Sequence, residues 1–369
     1  MRKTREIKVG DILLGGKNPV VVQTMCSSKT KDIKRTLEQI KTLKDAGAQI
    51  IRLAVDNKED VRSLKEIRKE TDVNLSVDLQ ENYLLAKDLA PFVQKIRYNP
   101  GHLYHIEKEK IVEDKVKELV QIAGENDCAL RIGVNFGSLD PGLSKGVKDS
   151  GAIAIKSASE HVEYMEKLRF KNYVVSLKSS DPYGVIKINE EFSSLYPFVP
   201  LHLGVTEAGM LPLGEIKSRV AMEHLLSKGI GDTIRVSLTV PFLEKYREVE
   251  IGKQIIKDVA NKKFLPKDAY NAKGLNIISC PSCSRVQTDK FIELAEKIKE
   301  ATVFAKDKNL TVAVMGCRVN GPGESDDADI GMWCAPNFVN LKVKGELIGS
   351  YSYDEIVDVA VKKIKEAIL

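Results

Sequence analysis

The feature that most constrains this chain is a recurrence. Between residues 20 and 239, short β-branched runs alternate with longer segments whose apolar residues fall at helical spacing. The runs are VVVQTM from Val20, IIRLAV from Ile50, NLSVDL from Asn74 and KIRYNP from Lys95. They continue with LRIGVN from Leu130, YVVSLKSS from Tyr173, LHLGVTEAG from Leu201 and TIRVSLT from Thr233. In the first intervening segment Ile33, Leu37, Ile40 and Leu43 share one face, and Gly47 ends the helix. Alternation of this kind implies a parallel sheet, because each return crossover needs a helix. Eight units in about 220 residues predict a closed (β/α)8 TIM-type barrel. An open doubly wound sheet is the runner-up, but TMCSSKT after the first run has no phosphate-turn glycines.

The barrel is expected over residues 1–263, with 264–274 as a linker around Pro266 and Gly274. Residues 275–369 are expected to form a smaller α/β unit. Its strands are predicted near Leu275–Ser279, Thr311–Met315 and Phe338–Val343, and its helices over Thr288–Ala301 and Tyr353–Ile368. The 57 basic and 52 acidic residues leave a net charge of only +5. In EKEKIVEDKVKELV the lysines alternate with glutamates, as on a solvated helix face. No basic block is interleaved with aromatics, which argues against nucleic acid. No apolar run is long enough for a membrane helix or a secretory signal, so a cytoplasmic chain is expected. Six cysteines in such a compartment point to metal or redox chemistry rather than disulfides.

Barrel enzymes carry their chemistry at the C-terminal ends of the strands. Here those ends hold Arg52, Asp78, Arg97, Arg131, Asn135, Lys178, Glu207, Arg235 and Ser237. Arg131 and Asn135 are four apart on one strand and face the same side. Arginines converging on one mouth are costly to desolvate unless an anion binds there, and a phosphate group is the anion that planar guanidinium grips best. Asp78 and Glu207, beside such an anion, are candidates for hydroxyl contacts or proton transfer. Lys178 fits a further phosphate contact, or the Schiff-base nucleophile of an aldolase. His202 reads as a packed strand residue, and His102, His105, His161 and His224 as loop or helix-surface residues. Cys26 and Cys128 have no partner at ligand spacing.

The second unit reads IISCPSCSRVQTD and, later, VMGCRVNGPGESDDADIG. Cys280 and Cys283 are spaced to reach one metal, and Cys317 follows an apolar strand. Zinc would need a fourth ligand such as Cys334, giving a zinc-stabilised barrel lyase as the alternative. Iron–sulfur clusters tolerate scattered single cysteines better. The glycines of NGPGES could turn the backbone and return Glu324 to a [4Fe–4S] cube held by three thiolates. One iron would then carry a displaceable oxygen ligand.

These motifs resemble the 4-hydroxy-3-methylbut-2-enyl diphosphate synthase family in its short bacterial form. The resemblance runs from VVVQTM through KIRYNPG, RIGVN, SLKSSD, LHLGVTEAG and GIGDTIRVSLT to SCPSC and VMGCRVNGPGE. It implies cluster ligands Cys280, Cys283, Cys317 and Glu324, and cyclodiphosphate-binding residues Arg52, Arg97, Arg131, Asn135, Lys178, Arg235 and Ser237. It implies acidic groups Asp78 and Glu207 near the hydroxyl-bearing carbons, with Glu207 as proton donor. The implied reaction is reductive opening of 2-C-methyl-D-erythritol 2,4-cyclodiphosphate, with electrons from flavodoxin or ferredoxin. The implied assembly is a homodimer in which the cluster unit of one subunit covers the barrel mouth of the other. Two departures stand out: Gln80 occupies the position of the family's histidine, and CSSKTKD lacks the usual Asn-Thr-Asp run.

Overall fold

A computed structural model describes residues 3–144, 149–266, 269–271, 273–317 and 321–368. The strands β1 (Ile7–Val9) and β2 (Ile12–Leu14) pair as an antiparallel hairpin. The barrel follows: β3 (Val21–Met25), β4 (Ile50–Ala54), β5 (Asn74–Gln80), β6 (Lys95–Tyr98), β7 (Ala129–Asn135), β8 (Tyr173–Lys178), β9 (His202–Leu203) and β10 (Thr233–Ile234). These eight are hydrogen-bonded in the order β8-β7-β6-β5-β4-β3-β10-β9, all in parallel. A bridge between Val175 and Leu201 brings β8 against β9 and closes the ring. The predicted barrel is therefore present, strand for strand.

Each strand is hidden on both faces, as parallel strands require; β3, β4 and β7 are buried throughout. Several of the surrounding helices are amphipathic and begin at side-chain caps. Asp32 accepts from the Arg35 amide at the start of Ile33–Asp45, and Asn57 accepts from Glu59 and Asp60 at the start of Lys58–Lys69. Lys115 departs from expectation. Instead of lying on a solvated face, it is buried and its ammonium donates to the carbonyls of Leu103 and Ile106 at 2.7 and 2.6 Å. The hairpin, which no periodicity announced, buries Ile7, Val9 and Leu14 against Val21, Ile50, Ala129 and Val174. Those four lie near the starts of their strands, so the hairpin plugs the N-terminal end and leaves the opposite mouth for chemistry.

The last barrel helix, Arg247–Ala260, ends before the stretch read as a linker, of which Lys267, Asp268 and Ala272 lie outside the described residues. The C-terminal unit has β11 (Leu275–Ser279), β12 (Leu310–Met315), β13 (Ile330–Cys334), β14 (Val339–Val343) and β15 (Glu346–Tyr351), in that order across one sheet. The first three run parallel and the last three antiparallel. Helices Lys290–Ala301 and Ile356–Ala367 fall where expected. β13 and β15 were not anticipated. β15 is a mostly exposed edge strand, and the turn before it has Lys344 and Gly345 both at positive φ, as a type I′ hairpin demands.

GPGESDD was expected as a turn but forms a short helix, Gly321–Asp327, with Pro322 in its first turn where no amide donor is needed. This helix presses on β13 so closely that a Cβ on Gly331 would lie 2.2 Å from the Ser325 carbonyl oxygen. Gly331→Ala should therefore cost the C-terminal unit about 1–3 kcal/mol by overpacking. Calorimetry is expected to show an earlier first transition, with the barrel transition unmoved.

Candidate active site

The C-terminal unit sits over the barrel mouth of the same chain. Ala208, in the loop after β9, bridges to Ser279 at the end of β11. Thr239 donates to the Cys280 carbonyl at 2.6 Å, Lys217 to Asn276 at 2.6 Å, and Lys245 to the Pro281 carbonyl. Between the units lies a cavity with about 700 Å³ of non-protein space, its opening included.

The barrel wall of this cavity carries the strand-end residues expected from the sequence: Arg52, Asp78, Arg97, Arg131, Asn135, Lys178, Glu207, Arg235 and Ser237. All are buried. Asp78 is the negative centre of the group. It accepts from Arg97 at 2.9 Å, faces Arg285 at 3.2 Å and lies 3.9 Å from Arg52. Burial alone would raise its carboxyl, but Arg97, Arg285, Arg52 and Arg131 together hold it well below the usual range. Arg235 has a more distant counter-ion, Glu248, at 3.8 Å, and Glu248 also binds Lys245 at 2.8 Å.

The cations outnumber these anions. Burial and neighbouring arginines push Arg131 and Lys178 well below their ordinary values, and Arg52 down to about 9. Arg131 Nε, Arg235 Nε and the Ser237 hydroxyl have no hydrogen-bond partner among the described residues. Buried donors aimed into a cationic cavity make a preorganised seat for an oxyanion.

Glycines make room for these side chains. A Cβ on Gly133 would lie 2.2 Å from Arg97 Nε, and one on Gly204 would lie 2.7 Å from Lys178 Nζ. A Cβ on Gly137 would lie 2.7 Å from Glu324 Oε1. Glycine within a strand pattern marks a close approach of this kind, so RIGVN and LHLGV carried a signal beyond their charges. Glu207 is held at φ 44°, a left-handed conformation that turns the chain sharply after β9.

The thiols also converge. Cys280 Sγ accepts from the amides of Gly316 and Cys317, both at 3.2 Å, and the Cys283 and Cys317 side chains are hydrogen-bonded to each other. Two sequence-distant loops thus meet at three sulfurs, and amide donors to sulfur suit thiolate ligands. Glu324 is placed toward the barrel instead, against Gly137 and hydrogen-bonded to Ser180. Burial first, then Glu207 and Asp327, push its carboxyl well above the usual range. Among the described residues no set of three Cys, His, Asp or Glu side chains has ready-made metal geometry. Cys334 is elsewhere: it is buried in the apolar core, hydrogen-bonded to Tyr353 and pushed up to about 12.

Two histidines correct the sequence reading. His161 is not on a helix surface but buried, with Tyr98 at 3.0 Å, and His102 is buried near Arg97. Gln80 ends β5, and its side chain lies outside the described residues. Arg285 was missed altogether, since a lone arginine after CPSC has no periodic or strand-end signature. Cys283 faces two ways: it lines the central cavity and also an outer cleft bounded by Lys29, Arg35, Phe242 and Asp289.

Residues 4–253 match the family model of the GcpE TIM-barrel domain, and residues 276–366 match that of the GcpE protein C-terminal domain. The chain belongs to the GcpE family. A relative from Rhodopirellula baltica is 51% identical over 96% of this chain and 93% of its own length. One from Nautilia profundicola is 40% identical over 98% and 97%. Both are named 4-hydroxy-3-methylbut-2-en-1-yl diphosphate synthase (flavodoxin). The GcpE barrel also resembles dihydropteroate synthase from Stenotrophomonas maltophilia, with a TM-score of 0.51 at 12% identity over 71% of this chain and all of that one. That likeness concerns the fold alone. No helix among the described residues is long and apolar enough to cross a membrane.

The depressed cations make anion binding pH-dependent. A bound anion favours the charged form of Lys178, whose ammonium burial and the neighbouring arginines hold well below its ordinary value. Binding then takes up protons wherever the free ammonium is deprotonated and the occupied one is not. Affinity for inorganic pyrophosphate should therefore fall as pH rises through the lowered Lys178 range, the arginines staying charged throughout. Titration calorimetry in buffers of different ionisation enthalpy is expected to show the proton uptake directly.

Proposed function

We propose that this chain converts 2-C-methyl-D-erythritol 2,4-cyclodiphosphate into (E)-4-hydroxy-3-methylbut-2-enyl diphosphate, a step of isoprenoid biosynthesis by the methylerythritol phosphate pathway. The observation that carries this reading is one cavity walled by a cationic clamp on the barrel side and by Cys283 and Cys317 on the other. The relatives' name supplies the product. The reaction takes in two electrons and two protons and releases one water as the ring opens.

In this reading Arg52, Arg131, Lys178 and Arg235 hold the two phosphate groups, with Asn135 and Ser237 as neutral donors. Arg97, fixed between Asp78 and the Gly133 carbonyl, completes the rim. Glu207, buried across the cavity, delivers a proton to the departing hydroxyl. The barrel spans 1–263 and the cluster unit 275–369, joined through 264–274. Cys280, Cys283 and Cys317 fit a [4Fe–4S] cluster, with Glu324 as the oxygen ligand once cation binding displaces its proton. Held there, such a cluster would supply single electrons and Lewis-acid chemistry towards a substrate oxygen. Flavodoxin, named for the relatives, is the electron donor we assign.

Nothing supports the zinc-lyase alternative: Cys334 points to Tyr353, and Lys178 stands among guanidinium groups rather than in an apolar pocket. Protein purified without oxygen should hold about four irons and four sulfides per chain and no zinc. Glu324→Gln should retain the sulfide yet lose most turnover. Full activity in that variant removes the carboxylate from the mechanism.

The proposal includes a homodimer. The stretch from Ala260 to Leu275 spans about 50 Å when extended, a reach that makes exchange of the second unit between adjacent barrels a question to test. Co-expression of an Arg131→Ala chain with a Cys317→Ser chain discriminates the two arrangements. The structure has the unit seated on its own barrel; exchange between subunits, as the homodimer reading has it, would leave one working site in each mixed dimer and restore activity. Two folded but inactive chains that stay inactive together would establish the within-chain arrangement.

A further inference from the structure

The geometry points to Arg285 as a positioning residue that couples occupancy of the anion site to closure of the C-terminal unit. This rests on the function proposed above and adds a residue to it. Arg285 belongs to the loop that carries Cys280 and Cys283, yet its charge is neutralised on the barrel. Its guanidinium donates to Asp56 at 2.9 Å through Nε, to the Asp78 carboxylate at 3.2 Å through Nη1, and to the Asp78 carbonyl at 2.9 Å through Nη2. It is buried, so drawing the units apart would strip a desolvated cation of these partners. A fork held on two carboxylates and a carbonyl is a directional tie that a lysine would make only in part.

Asp78 makes the tie responsive. It is shared by Arg285 with Arg97 and Arg52, both on the cavity wall. An anion entering the cavity draws Arg52 and Arg97 toward itself and weakens their claim on Asp78. More of the carboxylate's charge is then left for Arg285, and the closed state gains. By reciprocity, closure by Arg285 must tighten anion binding by the same factor. The second limb, Asp56, holds Arg285 at 2.8 Å but is not part of the cavity wall. It contributes to resting closure without reporting the anion.

The test uses the cluster-loaded protein without oxygen, with inorganic pyrophosphate and then the cyclodiphosphate as ligands. In the wild type, small-angle scattering is expected to show compaction on adding either ligand. Arg285→Ala is expected to lose that compaction and to bind pyrophosphate about tenfold more weakly, as a coupling of this size implies, with iron content unchanged. Arg285→Lys should recover part of both effects. Asp56→Asn should loosen the ligand-free state yet keep the ligand response. Adding Asp78→Asn to Arg285→Ala should give less than the summed loss, because the two act as one unit. Arg285→Ala that compacts and binds like the wild type overturns the coupling and leaves the proposed function standing. A wild type that binds neither ligand overturns both.

Discussion

One carboxylate holds the active-site region together. Asp78 lies at the end of a central barrel strand, and three guanidinium groups from three other segments turn toward it. Without it, Arg52, Arg97 and Arg285 would face one another in a desolvated space, and like charges at such separations repel by several kcal/mol at low effective dielectric. With it, the barrel can keep a surplus of positive charge poised for an anion. The surplus is still large enough to depress Arg131, Lys178 and Arg52. The site is thus under electrostatic load before any ligand arrives, and a bound diphosphate relieves it.

The barrel interior extends this theme downward. Lys95 is fully buried and donates to Gln23 at 2.6 Å; Ser76 lies buried on the adjacent β5, and His202 on β9 farther round the barrel. Most barrels fill such layers with aliphatic side chains. Here the floor beneath the clamp is polar, and burial together with the cations above disfavours the charged forms of Lys95 and His202. The hydrophobic stabilisation that these layers forgo is supplied outside them, where strands and helices pack over an extensive apolar core.

How much of this was legible follows from which forces leave a periodic trace. The eight strands were readable because each is a β-branched run between amphipathic helices, and the cationic mouth was readable because strand ends are where charge is not expected in bulk. The hairpin plug was not, since strands of three residues carry no period. β13 was missed because IGMWC is too short to distinguish from loop, and the Glu324 helix because its two glycines and proline read as a turn. Lys115 and His161 were misplaced for one reason: a polar side chain on a patterned helix looks solvated until the tertiary partner, a carbonyl or Tyr98, is known. The spacing of the three cysteines pointed to one shared centre, and Cys280, Cys283 and Cys317 do converge. Arg285 was not legible, because its role is defined by residues more than two hundred positions away.

Cys283 forms a wall one side chain thick. The same sulfur borders the central cavity and the outer cleft beside Lys29 and Arg35. A redox group held there lies within easy tunnelling reach of a docked electron carrier, so delivery needs no wire of intermediate cofactors. A short path does not choose its traveller, however. Dioxygen reaching the outer cleft would meet the same thin barrier, since among the described residues Cys283 lines both spaces. On the proposed cluster reading, the geometry that shortens the route for electrons is the same one that leaves the centre open to oxygen.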